Sequence, residues 1–464
     1  MVLKIGSIFL VVIAARQLGV EHFGQFSFIV TFSTLFLTLT DAGINFYSTR
    51  EIARNPEVSP DLMATALGLK LFLSILAAAI LSTLATVLDY SAEERIGFYI
   101  AAVMLFLDTF LQQFYAGFRG QQRMEYESLA LTIEALITSG LGIIALLIRP
   151  SFILLLCVYV LAKGISLSFL IIRYQSQSHR IRIGFQKRRA LDLLRQSLPF
   201  ALNVIFGLVA FRLDIIFLRF LQDPSAVALY RVTLSIIFTL TIFPVMYQTA
   251  IYPVFSKLYV DAKTELVRML EKSFGILFVL ALGLCLFIWR FADWIIFTVF
   301  GKEYAASIII LRIIVLMLPF KFVDQVLGGT LDSINLQKLR PIIAAICIVI
   351  NTVFCLIFIR WLGAVGAAIS TVLTEFTIFG LYYVVLARRL AILSVGKIMI
   401  KGVSAGVTSY TLMSLVHLPL LATFILGMAA FLATLLLLQV HNDLDVTRHI
   451  PWLLRRIRLS RANI

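Results

Sequence analysis

Residues 63–88 read MATALGLKLFLSILAAAILSTLATVL, and Lys70 is the only charged residue among them. A helix needs about 20 predominantly apolar residues to cross the hydrocarbon core of a bilayer. This stretch is long enough and apolar enough to do so. It therefore predicts a helix that spans a membrane.

Apolar residues dominate the rest of the chain as well. Of the 464 residues, 61% are hydrophobic and 14% are charged, which lies far outside the composition of soluble globular domains. We therefore predict an all-α polytopic membrane helix bundle with about 14 transmembrane helices. The thirteenth candidate is the weakest, since it is rich in Gly and Ser. The candidate spans lie at about 2–18, 26–48, 63–88, 97–118, 128–148, 152–172, 197–220, 228–254, 273–293, 305–328, 341–359, 363–387, 398–416 and 419–440.

Basic residues alternate between the loops. If both termini are cytoplasmic, the segments on that side carry 26 Lys and Arg, whereas the loops on the other side carry five. Short basic loops resist translocation, so this asymmetry predicts a protein of the cytoplasmic (inner) membrane with both termini in the cytoplasm. The net charge of +15 does not indicate nucleic-acid binding, because the basic residues lie between apolar runs and not on one solvated face.

Two stretches of the sequence recur. AARQLGVEHFGQFSFIVTFSTLFLTL at 14–39 resembles LRFLQDPSAVALYRVTLSIIFTLTIF at 218–243, and ALLIRPSFILLL at 145–156 resembles LIFIRWLGAVGA at 356–367. Six helices per copy is an even number, so the two halves are expected to be related by an axis along the membrane normal. The expected segments are an N-terminal six-helix lobe at 1–172, a basic cytoplasmic linker at 173–196, a C-terminal six-helix lobe at 197–387, two additional transmembrane helices at 388–440 and a basic cytoplasmic tail at 441–464.

Five motifs resemble a known family in their order and spacing. They are ARQLGVEHFGQFSF (15–28), DAGINFYSTREIAR (41–54), RLDIIFLRFLQDPSAVALY (212–230), FGKEYAASIIILR (300–312) and RWLGAVGAAISTVLTE (360–375). The family is that of polysaccharide biosynthesis proteins or oligosaccharide flippases, within the multidrug, oligosaccharidyl-lipid and polysaccharide exporter superfamily. The resemblance implies a V-shaped bundle of two six-helix lobes with a cationic central cavity. It also implies outward flipping of undecaprenyl-pyrophosphate-linked oligosaccharides across the cytoplasmic membrane.

The sequence departs from the family pattern in two places. Members usually begin about a dozen residues before the position of Lys4, so the first helix looks clipped and Met1 is an uncertain native start. The family commonly has a small residue after its Gly-x-Tyr, where this chain has Arg231 after Tyr230. That extra charge could mark a difference in substrate.

Fifteen charged residues, Arg231 among them, fall inside the candidate spans. An ionised side chain at the bilayer centre costs about 2.5–3.5 kcal/mol on insertion scales, so most of them must face protein or water. The basic residues expected to line a cationic substrate cavity are Lys4, Arg16, Lys70, Lys163, Arg212, Arg219, Arg312 and Lys321. The acidic residues expected to take part in coupling or in ion pairs are Asp41, Asp108, Glu134, Asp214, Asp324 and Glu375.

For several of these residues the sequence leaves alternatives open. Arg16, Arg219 and Arg231 lie near span ends and could extend their charges to the membrane surface. Lys163 could form a static ion pair with Asp108 or Glu134, because the estimated depths differ by no more than about 5 Å. Either arrangement would remove the side chain from a substrate path.

The deepest charges carry the mechanistic hypotheses. Glu375 is the best candidate for a protonatable coupling group, and the alternative is that it closes an ion pair. A cavity position is favoured most for Arg212, which lies deep in the helix that opens the second lobe. Asp214 lies two residues further, about 200° around a helix, so the two side chains are expected to face different partners. A diphosphate suits such cations, since it offers several anionic acceptor oxygens.

Three classes of function compete. The favoured one is a flippase or exporter that moves a lipid-pyrophosphate-linked oligosaccharide, a polysaccharide precursor, by alternating access. Its expected partners are that lipid and the membrane lipids, with a glycan polymerase and export machinery as further candidates. A cation-coupled multidrug exporter of the same superfamily is the alternative, although a net positive cavity would repel cationic substrates.

A membrane-embedded glycan polymerase or ligase is the least favoured function. Such enzymes generally need a large catalytic loop on the outer side, and the outer loops of this chain are short. All four cysteines lie within apolar runs, without the spacing of a zinc site or of a disulfide framework. We therefore expect no catalytic residues, no cofactor and no metal.

Overall fold

The structure of the chain is a computed structural model that describes residues 2–88, 90–176, 184, 188–198, 212–416 and 419–440. These residues form helices joined by short turns, and they include no β-strand. The helices are α1 (Val2–Asp41), α2 (Ile44–Arg54), α3 (Ser59–Val87), α4 (Ala92–Gly120), α5 (Met124–Ile148), α6 (Phe152–Ser176), α7 (188–198), α8 (Leu213–Leu221), α9 (Pro224–Leu240), α10 (Ile242–Asp261), α11 (Lys263–Arg290), α12 (Ala292–Val299), α13 (Ser307–Ile314), α14 (Leu318–Ser333), α15 (Leu339–Arg389), α16 (Gly396–Leu415) and α17 (Leu420–Leu437).

The length and composition of these helices confirm a polytopic α-helical membrane protein. Nine helical stretches of the described chain are long and apolar enough to cross a bilayer. α16, which corresponds to the weakest candidate span, is not one of them. Large apolar side chains on outer helix faces are exposed, among them Ile148, Trp361 and Leu437, as suits contact with lipid. Most of the expected span at 197–220 lies outside the described residues.

Two pairs of expected spans are joined without a loop between them. In α1 the break is at Gly19, with φ 71° and ψ 177°, and in α15 it is at Gly363, with φ 55° and ψ −131°. Only glycine adopts such angles readily, because it has no Cβ. The residues between the expected spans at 2–18 and 26–48 are therefore helical, since the helix resumes directly after Gly19. The expected span at 228–254 is also divided, into α9 and α10, at Thr241.

The chain forms two compact units. The first comprises Met1–Ser235, Val299–Ser307 and Ala344–Ser370, and the second comprises Ile236–Thr298, Ile308–Ile343 and Thr371–Ile464. These bounds differ from the lobes expected from the sequence, whose division at 172 and 197 falls within the first unit. The expected lobes stay a prediction.

Aromatic side chains fill the core of the first unit between α3, α4, α5 and α6. Tyr174 meets Phe114 and Phe118 edge-on, with ring centroids 5.6 and 6.2 Å apart, a favoured arrangement for aromatic pairs. α4 begins with a capping box in which Ser91 and Glu94 accept hydrogen bonds from each other's backbone amides. This box fixes the backbone at the position where Glu94 meets a basic side chain.

In the second unit, α16 and α17 pack against each other and against α11. The hydroxyl of Ser409 in α16 donates to the carbonyl of Gly427 in α17 over 2.8 Å. A Cβ atom at Gly283 of α11 would lie 3.2 Å from the ring of Phe431, so α17 approaches closely because this residue is small. The two additional helices are thus an integral part of this unit.

Candidate functional site

Lys70 in α3 is fully buried and joins three helices. Its Nζ donates to Asp41 Oδ1 at the end of α1 over 3.1 Å, and to Asn45 Oδ1 in α2 over 2.6 Å. One carboxylate balances its charge, and a second polar group completes its hydrogen bonding. Removal of one member of such a pair would leave an uncompensated buried charge.

Lys163 in α6 bridges two carboxylates. Its Nζ donates to Asp108 Oδ1 in α4 over 2.6 Å and to Glu134 Oε1 in α5 over 2.8 Å. Both of the ion pairs that the sequence left open are therefore formed. The three charged groups hold α4, α5 and α6 together, and their use by a substrate stays a prediction.

Lys321 of the second unit, like Lys163 of the first, forms an ion pair with a carboxylate of another helix. It lies in α14 and donates to Glu375 Oε1 in α15 over 2.6 Å. Asp324 lies one helical turn after Lys321 and is also buried. Among the described residues, neither oxygen of Asp324 has a hydrogen-bond donor, and nor does Oε2 of Glu375.

Two further arginines are held by carboxylates. Arg219 in α8 donates to Glu94 Oε1 over 2.7 Å, and its guanidinium lies 5.0 Å from the ring centroid of Tyr90. Arg312 in α13 donates to Asp293 Oδ2 over 2.6 Å. Both charges are therefore compensated within their own compact unit.

The two remaining cations of α1 lie near its start and near its break. Arg16 is exposed, and its Nε donates to the backbone carbonyl of Val299 over 2.8 Å. The side chain of Lys4 lies outside the described part of the chain.

Arg212 and Arg231 differ from the cations above. Arg212 directly precedes α8 and Arg231 lies in α9, and both are partly buried. Among the described residues, neither guanidinium forms a hydrogen bond or an ion pair with a side chain. Their like charges lie within electrostatic reach of each other, and Arg231 also lies near the phenol of Tyr159.

Asp214 lies within electrostatic reach of both arginines, but its hydrogen bonds go elsewhere. Its Oδ2 accepts from the hydroxyl of Tyr230, and its Oδ1 accepts from the amide of Ile215 over 2.8 Å. Arg212 has non-helical backbone angles, φ −130° and ψ −13°, so the expected 200° separation from Asp214 on a helical wheel does not apply. The charges of Arg212 and Asp214 do interact.

The chemistry of this site suits an anion with several oxygens. Each guanidinium carries five N–H donors and no acceptor, and burial makes an unpaired charge costly. Phosphate oxygens can accept two parallel hydrogen bonds from one guanidinium. We call Arg212 and Arg231, with the neighbouring Tyr159, the arginine site.

The sequence ranked one of these two arginines first and omitted the other. Arg212 was the favoured cavity residue, whereas Arg231 was noted as a departure from the family pattern after Tyr230 and as an intramembrane charge near a span end, but not as a cavity residue. The signal that could have selected it is the lack of an acidic residue within four positions of Arg231 in α9. Such a helix offers no local partner for the charge.

Comparison with known proteins gives both a family and a fold. A family model described as polysaccharide biosynthesis protein matches residues 2–259, more than half of the chain. A second model, described as MatE, matches residues 199–357. No curated protein was matched by sequence.

Three solved structures share the fold. One titled "Lipid II flippase MurJ, inward closed conformation" has a TM-score of 0.77 at 14% identity and covers 96% of this chain and 98% of its own. An inward-facing multidrug resistance MATE family transporter of the MOP superfamily has a TM-score of 0.65 at 16% identity, covering 84% and 95%. A MOP superfamily transporter from Pyrococcus furiosus, whose title reports a binding pocket of reversed polarity, has a TM-score of 0.56 at 16% identity, again covering 84% and 95%.

Proposed function

This chain belongs to the polysaccharide biosynthesis protein family, and we propose that it is a flippase that moves a lipid-pyrophosphate-linked oligosaccharide across the cytoplasmic membrane. The lipid would enter from the cytoplasmic side, where both termini are expected to lie. Alternating access would carry the polar headgroup past the hydrocarbon core. A flippase of this kind needs no covalent chemistry.

The arginine site is the observation that carries this proposal. Five of the other predicted cations, Lys70, Lys163, Arg219, Arg312 and Lys321, already bond to carboxylates. Arg212 and Arg231 keep their donors for a ligand, as far as the described residues extend. A pyrophosphate matches two neighbouring guanidinium groups in charge and in number of acceptor oxygens.

The similarity to solved structures supports a transport function, either as a lipid flippase or as a multidrug exporter. The structure with the highest TM-score of the three is that of a lipid II flippase, whose title names a lipid-linked substrate. The similarity to MATE transporters keeps a multidrug exporter as the second candidate. A cationic drug would be repelled by the arginine site, so the two candidates differ in the charge of their ligand.

Binding measurements on the purified protein test the proposal directly. Undecaprenyl pyrophosphate and the uncharged alcohol undecaprenol are the probes, presented in the same detergent micelles. Arg212→Gln and Arg231→Gln should each weaken binding of the pyrophosphate about tenfold or more, since a charge-assisted hydrogen bond contributes about 1.5–3 kcal/mol. Arg231→Lys should retain part of the affinity.

Arg149→Gln is the matched control, because Arg149 is an exposed arginine at the end of α5. It should bind pyrophosphate as the parent protein does. Cells that lack the endogenous gene and express the double variant Arg212→Gln/Arg231→Gln should accumulate the lipid-linked glycan on the cytoplasmic face of the membrane. The abundance of the variant protein should be normal. Normal export by that variant would refute the role of the arginine site, and preferential binding of organic cations would favour the drug exporter.

A further inference from the structure

The second compact unit contains a buried cluster with one more carboxylate than it has cations. The cluster comprises Lys321 and Asp324 of α14 and Glu375 of α15, with relative exposures of 5%, 6% and 4%. Lys321 bonds to Oε1 of Glu375. No group in the described part of the chain donates a hydrogen bond to the other three carboxylate oxygens.

The Lys163 cluster of the first unit is the natural comparison, because it has the same composition of one lysine and two carboxylates. There, each carboxylate accepts a hydrogen bond from the lysine. Its acidic side chains are also more exposed, at 15% for Asp108 and 21% for Glu134, against 5% for the side chain of Glu375. The unpartnered oxygens of the Lys321 cluster therefore do not follow from composition alone.

The surroundings supply nothing that would compensate the extra charge. Lys321 and Glu375 are the charged groups that act on Asp324. α10 and α11 also pack against α14, and among the described residues they add no charged group that acts on this carboxyl. A buried carboxylate without a hydrogen-bond donor or a cation of its own is costly, and neutralisation by a proton removes that cost.

We propose that Asp324 and Glu375 share one exchangeable proton and form the proton-binding site of this protein. A proton taken up from water forms an O–H bond on one carboxyl, and that hydroxyl can donate to an unpartnered oxygen of the other, since the two groups lie within hydrogen-bonding reach. The cluster is then electrically neutral. Loss of the proton returns it to one net negative charge.

The position of the cluster suits exchange of protons during transport. Glu375 lies roughly midway between the break at Gly363 and the end of α15 at Arg389. If alternating access opens this region first to one side of the membrane and then to the other, the same carboxyl pair meets water from each side in turn. This use as a coupling site rests on the proposed transport function, whereas the proton site itself does not.

Labelling by dicyclohexylcarbodiimide tests the site without any transport assay. The reagent reacts with protonated carboxyl groups in apolar surroundings, where the carboxyl oxygen attacks the carbodiimide carbon and the proton moves to nitrogen. In purified protein, mass spectrometry should find the adduct on Asp324 or Glu375, with labelling lost as the pH rises. Asp108 and Glu134 should remain unlabelled, because each already accepts a hydrogen bond from Lys163.

Two variants separate a shared proton from simple burial. Asp324→Asn leaves Glu375 and Lys321 as a balanced pair, so labelling of Glu375 should be lost. Glu375→Gln should likewise abolish labelling of Asp324. Undiminished labelling of the remaining carboxyl in both variants, or equal labelling of the Lys163 cluster, would overturn the proposal.

Infrared difference spectroscopy detects a protonated carboxyl group even if the carbodiimide cannot reach the buried site. A pH-dependent carbonyl band of a protonated carboxyl should be present in the parent protein and absent from Asp324→Asn. If both the adduct and the band are missing, the site holds no proton. Protection from labelling by sodium at constant ionic strength and constant pH would assign the cluster to a metal cation and also overturn the proposal. None of these outcomes depends on whether the arginine site binds pyrophosphate.

Discussion

A buried lysine that holds helices together can be distinguished from one that binds a substrate by removing its carboxylate as well. Lys70→Met leaves Asp41 buried without a counter-charge, which typically costs about 3–5 kcal/mol, so little folded protein should reach the membrane. The double variant Lys70→Met/Asp41→Asn should recover both abundance, measured by fluorescence-detected size-exclusion chromatography, and glycan export. Recovery of abundance without export would instead give Lys70 a direct role in the substrate path.

Replacing an aspartate by asparagine should change the stability of the protein differently in the two lysine clusters. Asp324→Asn removes no hydrogen bond donated by Lys321 or by any other described cation, and the introduced amide can donate to Glu375 in place of the shared proton, so the melting temperature should stay unchanged or rise. Asp108→Asn weakens a charge-assisted hydrogen bond from Lys163 and should lower the free energy of unfolding by about 1–3 kcal/mol. Thermal unfolding of both variants in the same detergent provides the measurement. Equal losses would show that Asp324 is as well bonded as Asp108.

At the scale of the helices, hydropathy predicted where the transmembrane helices begin and end better than where a helix is interrupted. The expected spans at 128–148 and 152–172 agree closely with α5 and α6, because a bilayer fixes the length of the apolar run. The continuation of α1 past Gly19 was missed, because exposed polar residues such as Glu21 and His22 resembled a loop in composition. Their backbone is helical all the same, since a helix can carry polar side chains on a solvated face.

The break in α1 can be tested by adding a methyl group. Gly19 has φ 71° and ψ 177°, a region almost restricted to glycine, so Gly19→Ala should lower the free energy of unfolding by about 1–3 kcal/mol. Gly164→Ala is the control, because a Cβ atom at Gly164 in α6 would meet nothing within 4 Å. It should leave stability unchanged or raise it by up to about 1 kcal/mol. Similar melting temperatures for the two variants would show that α1 can straighten at Gly19 without cost.

For the molecule as a whole, the sequence named possible partners for Lys163 but not for the other buried cations. Depth along a helix can be counted in residues, which is why Lys163, Asp108 and Glu134 were expected at similar levels. The rotation of each helix about its axis cannot be counted in this way, because it depends on packing against all its neighbours. The pairing of Lys321 with Glu375, 54 positions apart, follows from those rotations.

The charges of the loops predict the orientation of the whole molecule, and that orientation decides from which side the proposed lipid-linked substrate would enter. With both termini cytoplasmic, a cysteine introduced at Gln186 in the basic segment 173–196 should react with an impermeant maleimide only after the cells are made permeable. A cysteine at Lys302, in a segment expected on the other side and exposed in the structure, should react in intact cells. Both belong in a background without Cys157, Cys285, Cys347 and Cys355, so that a signal reports only the introduced thiol. Labelling of the Gln186 position in intact cells would show that the orientation is opposite to the one predicted. The proposed flippase would then carry its lipid in the opposite direction.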